Sequence, residues 1–127
     1  MELTPETFFE YISKEGPLHV VMHYGANCGP CKATMPHYEI LERHFLEYNF
    51  TNVKFYRFHQ WQSEYKQFIE ENNLNTNGVP TFRYYYYGEK LHEVTSGYSD
   101  PNDMKKVIVE VIKGIEATMG EFSTYES

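Results

Sequence analysis

The chain of 127 residues has room for one self-supporting domain, and its 41% hydrophobic and 17% aromatic content excludes intrinsic disorder. Its 11 basic against 18 acidic residues, net −7, argue against nonspecific nucleic-acid binding, which depends on neutralising phosphates. No apolar run approaches the ~18 residues of a membrane span, and no basic stretch followed by an apolar one opens the chain, so neither a membrane anchor nor a leader is expected.

In chain order, Thr4-Pro5-Glu6 predicts a helix start, with Thr4 as cap and Phe8, Phe9, Tyr11 and Ile12 on the apolar side. Gly16-Pro17 ends that helix. Leu18–Tyr24 is short and rich in Val and aromatic residues, and reads as a buried strand. Gly25-Ala26-Asn27 predicts a turn, followed by a helix from Cys28 to about Glu47. Met35, Tyr38, Leu41, Phe45 and Leu46 follow helical spacing there, and Pro36 predicts a kink. Val53–His59 predicts a second buried strand. Ser63 predicts the cap of a short helix to Asn72, with Tyr65, Phe68 and Ile69 inward.

Thr81–Tyr87 and Lys90–Thr95 predict a hairpin that turns at Gly88-Glu89. Strand alternation sets Phe82, Tyr84 and Tyr86 on one face and Arg83, Tyr85 and Tyr87 on the other. This reads as packing, not as a platform for nucleobases. Asp100-Pro101 predicts the start of a last helix. Its apolar stripe is Met104, Val107, Ile108, Val111, Ile112 and Ile115. Gly120 predicts its end. The expected organisation is one domain over residues 1–120 and a short tail over 121–127. The order α–β–α–β–α–β–β–α predicts an α/β fold: a mixed central β-sheet, helices on both faces, and a C-terminal hairpin plus helix.

The chemistry concentrates at Cys28 and Cys31, the only two cysteines. Two thiols this close enclose too short a loop to stabilise much by chain entropy, so redox or metal chemistry is the better reading. Cys28 follows a predicted strand and opens a predicted helix. Unpaired N–H groups and the positive end of the helix dipole stabilise a thiolate there. Gly29 permits close approach of another backbone, and Pro30 suits an early helical position. Cys31, one turn in, is placed to attack a mixed disulfide formed at Cys28. His19 and His23 have zinc-like H-x3-H spacing, but they fall in a strand ahead of the cysteines and read as packed residues, so no metal is expected.

Cys28-Gly29-Pro30-Cys31-Lys32 with Pro36 resembles the active-site helix of the thioredoxin family. Val53–Arg57 resembles its central strand. Gly78-Val79-Pro80-Thr81 resembles its cis-proline segment, and Gly88-Glu89-Lys90 with Gly97 its hairpin turn and glycine loop. The resemblance runs from the first helix to the last and implies the thioredoxin fold. It implies that Cys28 attacks a substrate disulfide and Cys31 resolves it. It further implies a cis bond at Val79-Pro80, with Asn27, Gly29, Pro30, Val79, Pro80 and Gly97 forming the active-site loop and substrate groove.

Departures from the family pattern are also visible. Asn27 stands where the family usually has Trp, and Met22 where it has a buried acid thought to move the resolving thiol's proton. Arg57 stands where it has a lysine near that acid, and is expected to reach solvent, a Tyr hydroxyl or another carboxylate. His23, His59 and Arg57 are then the candidates for proton transfer or for tuning thiol acidity. The resemblance implies a protein-disulfide reductase without bound cofactor, restored by a thioredoxin-reductase-like protein or a small thiol. Its expected partners are disulfide-containing proteins, with no nucleic acid and no membrane, and a cytoplasmic monomer suffices. The alternatives are a glutaredoxin-like or oxidase/isomerase activity, or a binding subunit on the same fold with little redox role.

Overall fold

The computed structural model describes residues 1–47 and 52–119. The expected end at Gly120 and the tail over 121–127 lie outside these residues. The elements are β1 (Glu2–Leu3), α1 (Phe8–Ile12), β2 (Leu18–Tyr24), α2 (Gly29–Glu47), β3 (Val53–His59), α3 (Lys66–Glu71), β4 (Thr81–Tyr86), β5 (Glu89–Thr95) and α4 (Pro101–Met119). A single 3₁₀ turn, Ser63–Tyr65, leads into α3.

The strands form one five-stranded sheet in the order β1-β3-β2-β4-β5. β1 and β2 each run parallel to β3. β4 runs antiparallel to both β2 and β5. This is the mixed sheet expected from the order of elements. Strand alternation splits the core in two. On one face Leu18, Val20 and Met22, with Val53, Phe55, Phe82, Tyr84 and Tyr86, pack under α2 and α4. On the other, Val21, Tyr56, Phe58 and Tyr85 pack against α1, α3 and Leu3.

The α4 stripe is seated as expected: Met104, Ile108, Ile112 and Ile115 are buried, with Val107 and Val111 half-buried beside them. Asp100 caps this helix, its Oδ1 accepting the Asn102 N–H at 2.8 Å. The α2 stripe is buried at Tyr38, Leu41 and Phe45, but Leu46 lies outside it, 74% exposed. α2 runs through Pro36 as one element.

Several boundaries differ from the sequence expectation. The first helix starts at Phe8, because the Thr4 N–H is taken by the Thr7 hydroxyl at 2.9 Å and the Thr4 carbonyl accepts from Thr7 and Phe8. Ser63 does not cap; it is already inside the 3₁₀ turn. β4 stops at Tyr86, since Tyr87 and Gly88 both take positive φ, 53° and 77°. Two left-handed residues in succession make the tight turn that matches strand twist, so the hairpin reverses at Tyr87-Gly88. Glu89 is thereby paired with Tyr86. β1 was not expected at all: two residues are too few to show a period.

Candidate active site

The register brings three loops to one end of the sheet. Tyr24 ends β2 opposite His59, which ends the parallel β3. β4 runs the other way, so its first residue, Thr81, lies opposite His23, and Pro80 arrives at the same end. Thr81 also pairs with Thr95, the last residue of β5, which brings Gly97 to this end.

After Tyr24 the chain turns through Gly25, Ala26 and Asn27. Asn27 has φ 57°, in the left-handed region that Asn tolerates better than most residues. Cys28 then stands at the N-cap of α2. Its carbonyl accepts the Lys32 N–H at 3.0 Å, the first bond of the helix. Its Sγ accepts the Cys31 N–H at 3.1 Å, in the place where a capping oxygen usually sits. That N–H, with the dipole of a 19-residue helix, favours negative charge on this sulfur once the thiol is free. Cys28 and Cys31 are joined as a disulfide with Cα atoms 5.2 Å apart. Both residues are buried, Cys28 5% and Cys31 2% exposed.

The Val79-Pro80 peptide is cis. Pro80 is buried and Val79 half-buried against the larger core. The Val79 carbonyl lies 3.7 Å from Cys28 Sγ. The oxidised sulfur carries no proton, so this is a packing contact and not a hydrogen bond. Thr81 ties the segment down: its hydroxyl donates to the Gly78 carbonyl at 2.7 Å and lies 3.0 Å from Thr95 Oγ1.

Gly97 closes the third side. A Cβ there would stand 2.7 Å from Thr34 Oγ1 and 3.7 Å from the Pro30 carbonyl. Thr34 is fixed in turn, accepting the Tyr98 N–H at 3.2 Å. The Tyr98 ring packs on Phe82 at 4.8 Å. Gly29 and Pro30 are exposed on the outer side, and nothing lies within 4 Å of a Cβ placed on Gly29.

The structure thus joins Asn27–Cys31, Val79-Pro80 and Gly97. It places the three proton-transfer candidates differently. Met22 is fully buried in the cysteine core, on the same sheet face as the thiols. Arg57, opposite Met22, crosses α2 to Glu39 at 3.6 Å, and its Nη1 lies 3.4 Å from Met35 Sδ. This is the carboxylate partner left open by the sequence. His59 lies on that face too, its ring 4.9 Å from Tyr24's and its Nδ1 buried without a hydrogen-bond partner.

His23 is turned to the other face, against Phe8 and Phe58. Proton exchange with Cys31 would have to cross the sheet, so His23 is removed from the thiol chemistry. Burial, then the charge of Arg83, pushes it down to about 3. Its Nδ1 donates to Gln60 Oε1 at 2.9 Å, and Gln60 Nε2 donates to the Leu74 carbonyl at 2.8 Å. Among the described residues no Asp or Glu is buried as a whole, although the Oε1 of half-buried Glu116 on α4 lies out of solvent.

Sequence reasoning passed over Thr34 and Trp61, and read Gly25 only as a turn residue. Thr34 had a signal: it is polar, one turn after Cys31, on a face that must be buried. Trp61 had only its size. An open groove lined by Leu91, His92, Val107 and Val111 among others involves none of the cysteine loops.

A thioredoxin family profile matches residues 1–110. The chain belongs to the thioredoxin family. Among solved structures, it is similar to spinach chloroplast thioredoxin f in its short form, with TM-score 0.70 and 25% identity over 87% of this chain and 91% of that one. The long form gives TM-score 0.69 and 26% identity, covering 87% and 84%. Chlamydomonas reinhardtii thioredoxin f2 gives TM-score 0.65 and 24% identity, covering 95% and 97%. Comparison with curated proteins returned no match. With the thioredoxin fold and the paired thiols in place, the chain is a dithiol–disulfide oxidoreductase. Among the described residues no helix is long and apolar enough to cross a membrane.

Proposed function

We propose that the protein works in the reducing direction, as a cytoplasmic protein-disulfide reductase. What supports this direction is the match to the thioredoxin family over residues 1–110, while the Cys28 sulfur at the N-cap of α2, receiving the Cys31 N–H, is the group placed to attack. In the dithiol form, the Cys28 thiolate attacks one sulfur of a substrate disulfide. The Cys28–substrate bond forms, the substrate S–S bond breaks, and the departing thiolate takes a proton. Cys31 then loses its proton and attacks Cys28 Sγ, forming the Cys28–Cys31 bond and releasing the second substrate thiolate, which is protonated in turn. The substrate gains two electrons and two protons, and the protein is oxidised by the same amount. A thioredoxin-reductase-like protein or a small thiol returns it to the dithiol. The sparse cysteine content suits a reducing compartment.

The test is the Cys28–Cys31 equilibrium in graded glutathione buffers at pH 7. A single two-electron transition near about −270 mV, the level of reducing thioredoxins, is the expected result. A midpoint near about −120 mV would make the protein an oxidant and overturn the assigned direction. Cys28→Ser is expected to abolish turnover, and Cys31→Ser to accumulate the mixed disulfide, read as added mass on the intact protein.

A further inference from the structure

We propose that Trp61 is the aromatic contact surface on which the polypeptide flanking the target disulfide rests, making it a specificity-determining residue of this reductase. The inference rests on the reductase reading and adds where that substrate is held. Trp61 is the only tryptophan of the chain and is 56% exposed, an unusual position for the largest apolar side chain. It is not loosely attached. Gln60 N–H donates to the Tyr24 carbonyl at 2.8 Å, extending the β2–β3 pairing by one step to the residue before Trp61. The Gln60 side chain is fixed between His23 and the Leu74 carbonyl. Gln62 N–H closes a turn onto the His59 carbonyl at 3.4 Å, with Trp61 at its corner.

The indole lies directly on Gly25, so closely that a Cβ on Gly25 would overlap the ring carbons Cε3, Cδ2 and Cζ3. Gly25 is three residues before Cys28, in the same turn. The six-membered part of the indole thus sits against Gly25 at the start of the cysteine loop, while the side chain as a whole stays 56% exposed. Asn27, the exposed neighbour of Cys28, offers no aromatic surface of its own. A ring held by its backbone loses little freedom on binding, and tryptophan is enriched among residues that dominate interface energies. The occupant is set by continuity with the reactive disulfide: an extended segment bonded to Cys28 must leave over one of the surfaces around it, and the Gly25–Trp61 surface is one of these.

The experiment compares second-order rates of the dithiol form on insulin disulfides and on 2-hydroxyethyl disulfide, which carries no flanking polypeptide. Trp61→Ala is expected to lower the ratio of the two rates by about fivefold to tenfold, and Trp61→Phe to restore most of it. Leu91→Ala, on the exposed strand β5, is expected to leave the ratio unchanged. A ratio unmoved in Trp61→Ala, or both rates falling together, would overturn the proposal and leave the reductase reading intact. Wild-type protein that reduces neither substrate would overturn both.

A second measurement reads the contact itself. In Cys31→Ser, forming the mixed disulfide with a tryptophan-free peptide is expected to shield Trp61 from acrylamide quenching. Unchanged quenching would overturn the contact. Concentration-dependent association of wild-type chain, lost in Trp61→Ala, would assign the surface to a second copy instead.

Discussion

At the scale of single residues, the buried histidines fix how the protein responds to acid. His23 is held neutral inside the second core, its ordinary value of 6.5 lowered to about 3 by burial and then by Arg83. Between those values the unfolded chain binds a proton that the native chain refuses, so stability falls as pH drops through this window. From pH 7 to 4.5 the loss from this one group is roughly 2–3 kcal/mol. His19 is also lowered, chiefly by burial, and acts with the same sign. Its tautomer is set by its partners: the Lys14 carbonyl can only accept, so Nε2 carries the proton and Nδ1 accepts from the Tyr56 hydroxyl, each at 2.9 Å. Glu93 acts lower on the pH scale. Burial pushes it up, but hydrogen bonds from Lys90 and Arg83 and the Arg83 charge outweigh this and hold it at about 2. Its contribution is complete above its ordinary 4.5 and is lost as pH falls toward 2. Urea unfolding of His23→Gln at pH 7 and 4.5 is expected to show a clearly smaller difference than wild type; an equal difference would place the acid sensitivity on other groups.

At the scale of elements, the contact between α2 and the Gly97 loop is a tight constraint on the groove. Gly97→Ala would bring its Cβ against Thr34 Oγ1 and is expected to cost about 1–3 kcal/mol. In a Thr34→Ala background the same change is expected to cost less, because the obstructing oxygen is gone. A double-mutant cycle in urea checks this, and additive costs would refute the direct clash. The elements themselves were largely legible in the sequence. β2 and β3 begin and end where Leu18–Tyr24 and Val53–His59 predict, since each is a run of Val and aromatic residues between turn formers. The same runs carried information that placed His23: with Met22 on the cysteine face, strand alternation sends His23 to the other. What the sequence lacked was the partner of each polar group. Thr4 offers a good cap, yet Thr7 intercepts it. Arg57 promised a carboxylate, and which one depended on α2 lying over β3. Trp61 over Gly25 depends on two strand ends meeting, a contact between residues 36 positions apart that no local pattern encodes.

At the scale of the whole molecule, two cores on opposite faces hold one sheet, and the redox loops occupy one end of it. The smaller core is completed by β1, where Leu3 is fully buried although its strand is only two residues long. Leu3→Ala is therefore expected to lower stability by about 2–5 kcal/mol, as at a central core position, measured by thermal or urea unfolding. The sheet's two outer strands also bear on what the protein must avoid. Any sheet with open outer strands runs the risk of recruiting other chains as extra strands. β1 is too short to serve as a template. β5 is exposed except at half-buried Glu93 and Val94, carries Glu89, Lys90 and Glu93, and meets β4 through an irregularity at Tyr84/Tyr85. Borders of this kind let neighbouring copies meet and part in a crowded solution, without one becoming the seed of a clump.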